Sequence, residues 1–569
     1  MDEISPSRDI PSPGRWWREW EVVALAALAF GAYFLRAADL TIRGEESRWA
    51  TVAMEMIRTG DWVVPRQQGE PFLSRPPLGN WLIAVTTLLR GRCDALAVRL
   101  PSVTAVLLTT VLLYAYGRTI MGRTGAFAAG LAFASMGEVL QMGRVAESDI
   151  VFASLLSAAW VFWIWGERAA WPAAATWAAG YGLTALAALQ KGPQAPVYFA
   201  GAVGVYLVAR GEWRRLLTAA HGVGLLVFAG VIGAWQVPFL LAEGWEATYR
   251  IWLSDSAGRF QQLPPLAVAA HMVTYPIEDL GCTAPWSLLL FAYLSRRFRR
   301  GLGAARPVAG FLAACTVLGF LPCWVSPGGM TRYVIPLYPG LALLAGLVID
   351  RAANVIRSPR LQRGWTLGWR SVAAVMAVAP LALAVIRLLP LPVVQAYAPP
   401  LATLPAYTLA MWAAAAGVAW GVGRGGRQVA IAAAAVAAFM AGGYATVVVD
   451  GMIRRSEDTA AAVDRVKALM PPGTRLVSFA PAHHLFAYYF GEPIELRGLP
   501  EADRDRDVMW FCYMARDDCR MPMPFPSEVV AVIPVDRNRQ QVPRDIVVVG
   551  RRLPAGNQQS ARRGNAPGG

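Results

Sequence analysis

Long apolar runs separated by short basic joints fill the chain up to about residue 450, and they limit what it can fold into. Runs such as Leu217–Leu241 and Val429–Val448 reach about the 20 residues that a helix needs to cross roughly 30 Å of hydrocarbon. In a bilayer a helix satisfies its own backbone hydrogen bonds. Only 16% of the residues are charged, whereas soluble domains carry about 25%. The sequence therefore predicts a polytopic α-helical membrane protein.

The positions of the apolar runs predict about thirteen transmembrane helices, near residues 20–37, 100–117, 124–141, 147–165, 172–189, 193–209, 217–241, 280–295, 305–324, 331–350, 371–389, 402–422 and 428–449. Arginines mark every second joint, for example Arg118 with Arg123 and the four arginines at 296–300. Because positive residues concentrate in cytoplasmic loops, these joints and the N-terminus are predicted to be cytoplasmic. The net charge of +15 follows this topology and predicts no nucleic-acid partner.

One stretch breaks this alternation. Residues 78–89 form an apolar run of only about twelve residues, too short to cross the membrane. We therefore predict that 38–99 is a long periplasmic loop within a transmembrane domain at 1–451. Short interfacial helices are expected in this loop, one at Glu45–Thr59 and one that begins after Pro76 and Pro77.

The composition changes after residue 451. A helix is predicted at 454–470, and short β-branched runs predict strands at 475–479, 508–513, 529–534 and 546–550. Together they predict a small C-terminal α/β domain at 452–553, on the periplasmic side, followed by a disordered tail at 554–569. A disulfide between Cys512 and Cys519 in this domain is given even odds.

Charged residues in the predicted outer loops converge on one side of the membrane. Each of them alone is more often an anchor in the headgroup region, but charges at a membrane boundary are costly and mark functional sites. Acids and cations together suit a substrate with an anionic head and a lipid tail, since cations hold phosphate and a carboxylate accepts a proton. The residues concerned are Glu45, Glu46, Arg48, Arg75, Arg144, Glu147, Asp149, Lys191, Arg259 and Arg332.

Several motifs carry a resemblance to a known family. They are EESRWA at 45–50, GDWVVP at 60–65, RPPLGNW at 75–81, AVRLPS at 97–102, QKGP at 190–193 and AYYFGEP at 487–493. Their order and spacing resemble the bacterial branch of the protein O-mannosyltransferase family, which includes the transferase that adds aminoarabinose to lipid A. The resemblance covers nearly the whole chain. It implies a GT-C fold and a glycosyltransferase that moves a sugar, with inversion, from a polyprenyl-phosphate donor.

The resemblance also implies roles for individual residues. Glu45 takes the place of the family's catalytic Asp and is expected to deprotonate the acceptor, with Asp149 orienting a substrate. Which of the two carboxylates is the base stays open. Lys191 and Arg75 are expected to bind the donor phosphate. The remaining substrate-binding candidates are Glu46, Arg48, Arg144, Arg259, Arg332 and Tyr333.

Three positions depart from the family pattern. Glu45 replaces Asp, Ser74 precedes Arg75 where the lipid A enzymes tend to have Glu-Lys, and Ser256 stands where they tend to have Glu-His. Since Glu and His are the plausible metal ligands, no metal is carried over from the family; no cofactor is required, and dependence on a divalent metal stays open. With these departures, the resemblance implies the general transfer of a lipid-linked sugar more directly than the transfer of aminoarabinose to lipid A.

The chain is thus expected in a bacterial inner membrane, as a monomer among membrane lipids. Its partners would be a polyprenyl-phosphate-linked sugar donor and a lipid, glycan or protein acceptor. The alternative is a transporter or flippase that carries lipid-linked sugar without chemistry, or a non-catalytic scaffold. Transporters often contain internal repeats, and none is evident in this sequence.

Overall fold

The computed structural model describes residues 16–257, 264–354, 359–389, 397, 399–421, 426–455, 458–516, 519–535 and 545–553. Most of these residues are helical. The α-helices are Trp20–Ala29, Glu45–Thr59, Leu78–Arg90, Ala95–Gly117, Arg123–Ser135, Gly137–Met142, Ser148–Arg168, Ala173–Lys191, Gln194–Ala209, Ala219–Ala257, Pro265–Thr283, Arg296–Gly301, Arg306–Val325, Tyr338–Asn354, Pro359–Leu388, Leu404–Gly421, Gly426–Gly443, Asp450–Arg455, Thr459–Leu469 and His484–Phe490.

Two π-helical segments and five 3-10 segments complete the helical part of the described chain. The π segments are Phe30–Phe34 and Tyr444–Val449. The 3-10 segments are Trp16–Arg18, Trp213–Leu217, Trp286–Leu294, Gly303–Ala305 and Thr331–Leu337.

The structure confirms a polytopic helical membrane protein. Within the described residues, seven helical stretches are long and apolar enough to cross a bilayer: Ala95–Gly117, Ser148–Arg168, Ala219–Leu253, Gly303–Val325, Thr331–Ala353, Gln362–Leu388 and Gly426–Leu469. Trp20–Phe34 and Gln194–Ala209 are apolar but shorter. The total of thirteen spans stays a prediction.

Two predicted spans are not continuous helices. At 280–295 the chain leaves the helix Pro265–Thr283, passes Ala284 and Pro285, and continues as the 3-10 helix Trp286–Leu294. Proline lacks the N–H that a continuing α-helix would need, so the break falls there. The span at 124–141 is interrupted at Met136, whose backbone is extended. Gly137 then passes so close to Cys282 that an added Cβ would lie 3.1 Å from its carbonyl oxygen.

The long outer loop contains the two short helices that the sequence predicts. Glu45–Thr59 has the predicted bounds, and Leu78–Arg90 begins after Pro77. We expected both to lie in the membrane interface. Trp49 and Ala53 of the first helix form one buried apolar cluster with Ile83 of the second and Leu485 of the C-terminal domain, and the interfacial position of the two helices stays a prediction. Protein therefore covers the apolar side of the first helix.

The C-terminal residues form the predicted small sheet domain. The five strands lie in the order Ile494–Leu496, Leu476–Ser478, Trp510–Arg516, Asp545–Arg552 and Ser527–Pro534. The first three are parallel, and the last two pair antiparallel. Strand 494–496 was missed because three residues are too few for an alternating pattern to appear.

Three details of this domain differ from the sequence prediction or lie beyond it. The predicted helix at 454–470 begins instead at Thr459, where the Asp458 carboxylate accepts the N–H of Ala461 and caps the first turn. Cys512 is buried, Cys519 is exposed, and both are free, so the disulfide considered from sequence is not formed. The predicted disordered tail, 554–569, lies outside the described residues.

Candidate active site

The centre of the candidate site is a buried ion pair between Asp149 and Lys191. The Nζ of Lys191 donates to Oδ1 of Asp149, and both side chains are almost fully enclosed, with 4% and 3% exposed. The ammonium also lies 5.0 Å from the ring of Tyr333 and 5.6 Å from that of Phe152. A buried pair of this kind is costly to desolvate, which makes it weak evidence for stability and a candidate for function.

Helix ends position both members of the pair. Asp149 lies in the first turn of Ser148–Arg168, where the helix dipole favours an anion. Lys191 is the last residue of Ala173–Lys191, where the dipole favours a cation. Gly192 follows with φ of 114°, a conformation that L side chains rarely adopt, and it ends the helix at this point.

Two further arginines surround the pair. Arg332, on the 3-10 helix Thr331–Leu337, places its Nη1 3.9 Å from Oε1 of Glu147. Arg75 donates to the hydroxyl of Ser148, and its guanidinium lies 5.3 Å from the ring of Trp49. Both arginines are close enough for their charge to act on the carboxylate of Asp149. We call Arg75, Glu147, Asp149, Lys191 and Arg332 the charged cluster.

A small cavity opens beside this cluster. It is lined, among others, by Trp49, Arg75, Gly79, Glu147, Ser148 and Gln190. Gly79 allows a close approach here, because an added Cβ would lie 3.2 Å from the amide nitrogen of Gln190, closer than most such contacts. The RPPLGNW and QKGP motifs, far apart in sequence, thus meet at one wall.

Glu147 is the member of the cluster that the sequence prediction left without a role. The pKa of its carboxyl group is raised to about 7, chiefly by burial and next by the charge of Asp149, while Arg332 and Arg75 act in the opposite direction. A carboxyl group that titrates near neutral pH is suited to accept and release protons. The sequence feature that could have marked Glu147 as a site residue is its position, two residues before Asp149 at the start of a predicted span.

Glu45 and Arg48 form a separate pair. Arg48 Nη1 lies 2.7 Å from Glu45 Oε2, and both side chains are about one third exposed. The guanidinium of Arg48 also lies 6.0 Å from the ring of Phe72. Among the described residues, the ionic partner of Glu45 is therefore Arg48, on the same helix, and not a member of the charged cluster.

Glu46 is held by Arg99 inside the protein. Both oxygens of Glu46 accept from the guanidinium at 2.7 Å, and the pair is 1–2% exposed. Arg99 also donates to the carbonyl oxygens of Ala37, Leu40 and Thr41. The N–H of Ala146 donates to Glu46 as well, at 2.9 Å. These contacts favour a structural role for Glu46 in place of the substrate contact that we predicted.

The remaining predicted residues are distributed differently. Tyr333 lies beside Lys191, as described above. The guanidinium of Arg144 lies between the rings of Tyr33 and Tyr444 and is not part of the charged cluster. Arg259 and the neighbouring Phe260 lie outside the described residues.

A metal would need at least three suitable side chains close together. In the part of the chain that the structure describes, no three His, Cys, Asp or Glu residues form such a group. The charged cluster instead combines two carboxylates with three cations. We therefore derive no step through a metal.

Comparisons with known proteins agree with the family resemblance that the sequence motifs show. The family model described as dolichyl-phosphate-mannose-protein mannosyltransferase matches residues 74–235. The chain is 27% identical to the undecaprenyl phosphate-alpha-4-amino-4-deoxy-L-arabinose arabinosyl transferase 2 of Proteus mirabilis, over 59% of this chain and 60% of that protein. It is 29% identical to the corresponding transferase of Aeromonas salmonicida, over 54% and 56%. The match thus spans less than two thirds of these relatives.

The structural likeness extends further than the sequence match. The crystal structure of ArnT from Cupriavidus metallidurans bound to undecaprenyl phosphate aligns with a TM-score of 0.69, over 93% of this chain and 97% of that one, at 20% identity. At this identity the alignment shows the fold. Together, these comparisons support the resemblance seen in the motifs: the chain has the GT-C fold, and over part of its length it is similar in sequence to bacterial transferases of undecaprenyl-phosphate-linked aminoarabinose.

Proposed function

We propose that the protein is a membrane glycosyltransferase that moves a sugar from a polyprenyl-phosphate donor to a lipid, glycan or protein acceptor. The observation that carries this proposal is the charged cluster, in which Lys191, Arg75 and Arg332 lie around the buried Asp149 and the partly buried Glu147 beside a cavity. The relatives named above support the class of donor, since their names specify undecaprenyl-phosphate-linked aminoarabinose.

The reaction forms one bond and breaks one. An acceptor oxygen attacks the anomeric carbon of the donor sugar, the bond from that carbon to the phosphate oxygen breaks, and polyprenyl phosphate leaves with both bonding electrons. Attack opposite the leaving group inverts the anomeric centre. The proton of the acceptor passes to a carboxylate. A phosphate monoester is a stable leaving group, so no strong general acid is needed.

Each part of the cluster has a proposed role. Lys191, Arg75 and Arg332 bind the donor phosphate through charge-assisted hydrogen bonds, with Tyr333 beside them. Asp149 holds Lys191 in place and orients the substrates. For the base we favour Glu147 over Glu45, because Glu147 belongs to the cluster and has a pKa near 7, whereas Glu45 pairs with Arg48.

The orientation of the chain is also part of the proposal. The multi-pass fold and the relatives indicate a bacterial inner membrane. The arginine-rich joints place the N-terminus in the cytoplasm, and the charged cluster and the C-terminal domain in the periplasm. We propose that transfer takes place there, by a monomer.

The function can be tested in cells. Mass spectra of membrane lipids and glycans are compared between cells with the protein, cells without it and cells with the Asp149→Asn variant. A sugar-modified product that is present only with the parent protein supports transfer and identifies sugar and acceptor together. Identical spectra from all three strains, with the parent protein expressed, would contradict it.

A further inference from the structure

Arg144 is a buried cation without a carboxylate partner in the part of the chain that the structure describes. The residue is 7% exposed, and its Nε and Nη2 are enclosed and have no hydrogen-bond acceptor. Its recorded contacts are with two aromatic rings, Tyr33 at 5.7 Å and Tyr444 at 5.4 Å. Ring faces attract a cation but do not replace the hydrogen bonds that its N–H groups lose on burial. Arg144 therefore lowers the stability of the fold unless something else binds it.

The two tyrosines come from unusual backbone. Tyr33 lies in the π-helical segment Phe30–Phe34, and Tyr444 begins the π-helical segment Tyr444–Val449. These are the two π segments among the described residues, and they come from distant parts of the sequence. Single π turns are rare and are found mostly at functional sites. Here both bring a tyrosine to the same guanidinium, which is a second and independent sign of a binding site.

The charges around Arg144 favour an anion. Arg36 acts on it from the neighbouring turn, and the acids near Arg36 are already engaged, with Asp39 at 2.8 Å and Asp450 at 2.6 Å. Arg43 and Glu138, which carry opposite charges, both lie close enough to Tyr444 for their charges to act on it. Burial lowers the pKa of Arg144, which shows how poorly its charge is compensated by the protein.

The position of Arg144 connects it to the proposed chemistry. Arg144 and Glu147 lie on the same short connection between Met142 and Ser148, three residues apart and thus at most about 11 Å between their Cα atoms. The bond from the N–H of Ala146 to Glu46 fixes this connection. Arg144 and the proposed base therefore share one short connection that is held in place by the protein.

We propose that Arg144, between Tyr33 and Tyr444, is an oxyanion subsite that binds a phosphate or carboxylate group of the acceptor. It is separate from the charged cluster, which binds the donor phosphate. The two enclosed N–H groups of a guanidinium match two oxygens of such an anion. That the bound anion belongs to the acceptor rests on the proposed function. Binding of an anion at Arg144 does not depend on it.

Binding is measured without turnover. The purified protein in detergent is first saturated with undecaprenyl phosphate, which occupies the donor cluster. Its thermal unfolding is then followed with added phosphatidic acid, inorganic phosphate or phosphatidylcholine. Because a ligand stabilises the state that it binds, we expect phosphatidic acid or inorganic phosphate to raise the melting temperature and phosphatidylcholine not to. A shift with phosphatidic acid alone indicates a lipid-borne anion, and one with inorganic phosphate as well indicates any phosphate group.

Variants assign the shift to Arg144. Arg144→Gln should unfold at the same or a higher temperature than the parent without probe, and should bind the probe on the order of 30-fold more weakly or worse. Arg144→Lys should keep part of the affinity. Arg58→Gln, which removes an exposed arginine from the helix Glu45–Thr59, should behave like the parent.

Two results would overturn the subsite. One is a parent protein that no phosphate probe stabilises. The other is an Arg144→Gln variant that unfolds earlier but binds the probe as the parent does, which would mean that Arg144 only packs between the rings. Binding of undecaprenyl phosphate tests the charged cluster, and binding of the phosphate probes tests the Arg144 subsite. A failure of the proposed function is therefore distinguished from a failure of the subsite.

Discussion

The buried pair Asp149–Lys191 shows how strongly one residue can depend on another in this protein. Both side chains are enclosed, and each neutralises the other. If only one is removed, the other remains as an uncompensated charge in a medium of low polarity, which costs about 3–5 kcal/mol. Truncation of Lys191 is therefore expected to weaken folding as well as donor binding.

We therefore predict strong coupling between the two residues. Lys191→Met should lower the free energy of unfolding by about 3–5 kcal/mol, whereas the same change in an Asp149→Asn background should cost much less. Unfolding in detergent, followed by tryptophan fluorescence, gives the four values of this cycle. Equal costs in both backgrounds would mean that the pair is not formed.

The raised pKa of Glu147 gives a second prediction at this scale. A base must be ionised to act, so the rate should rise with pH through about 7 and level off above it. Glu147→Gln should remove this dependence and lose about 10²- to 10⁴-fold in turnover. The control is Glu45→Gln, which should keep the pH profile and most of the activity. The reverse outcome would return the role of base to Glu45.

Folding stability should show the opposite dependence on pH. Because the folded-state pKa of Glu147 lies above its value of about 4.5 in the unfolded chain, the folded state binds more protons between these two values. The contribution of Glu147 to stability is thus fully present at low pH and is lost as the pH rises through about 7. Unfolding of the parent and of Glu147→Gln across this range measures the difference.

At the scale of elements, the helix Glu45–Thr59 joins the membrane domain to the C-terminal domain. Glu46 is held by Arg99 within the membrane domain. On the next residue, the hydroxyl of Ser47 donates to the carbonyl of Gly44 and lies 2.7 Å from Nδ1 of His484. Adjacent residues of one helix therefore contact two different parts of the protein.

This arrangement predicts different effects for the two neighbouring glutamates. Glu46→Gln leaves the enclosed Arg99 without a counter-charge and should cost about 3–5 kcal/mol of stability. Glu45→Gln breaks a pair that is one third exposed and should cost less than about 1 kcal/mol. Thermal unfolding of both variants tests this. Similar losses from both would contradict the different roles assigned to them.

The same helix shows how far the sequence alone can lead. Its start follows Gly44, and the start of Leu78–Arg90 follows two prolines, and both are local effects of backbone geometry that a sequence shows. The pairing of Glu46 with Arg99 was not predictable, since the two residues are 53 positions apart and meet only through packing. Pro285 is a local signal for the break in the predicted span at 280–295. The break was not predicted, because the residues on either side of Pro285 are apolar.

At the scale of the whole molecule, the C-terminal domain closes over the long outer loop. The amide oxygen of Gln68 accepts the N–H of Ala482 at 2.8 Å, and the hydroxyl of Tyr488 donates to the carbonyl of Cys93 at 2.9 Å. The loop and this domain must therefore lie on the same side of the membrane. Arg75 and Trp49 of this loop contact each other, and Arg75 belongs to the charged cluster. The loop therefore covers the helix ends at which the cluster lies.

The proposed topology predicts which positions a membrane-impermeant thiol reagent reaches. In a Cys519→Ser background, Glu70→Cys in the loop and Asp503→Cys in the C-terminal domain should react in intact spheroplasts. The control, Arg299→Cys, lies in an arginine-rich joint and should react only after the membrane is opened. All three sites are exposed at the protein surface. Labelling of Arg299→Cys from outside would invert the proposed orientation.

The central claim is that the charged cluster transfers a sugar, and the release of undecaprenyl phosphate by the purified protein tests it most directly. The parent protein in nanodiscs is given a panel of undecaprenyl-phosphate sugars with a membrane lipid extract as the source of acceptors, and released undecaprenyl phosphate is measured by mass spectrometry. We predict release with at least one donor, together with an acceptor of matching added mass, and a loss of both in Asp149→Asn. Donor binding without release, or equal release by Asp149→Asn, would contradict this account.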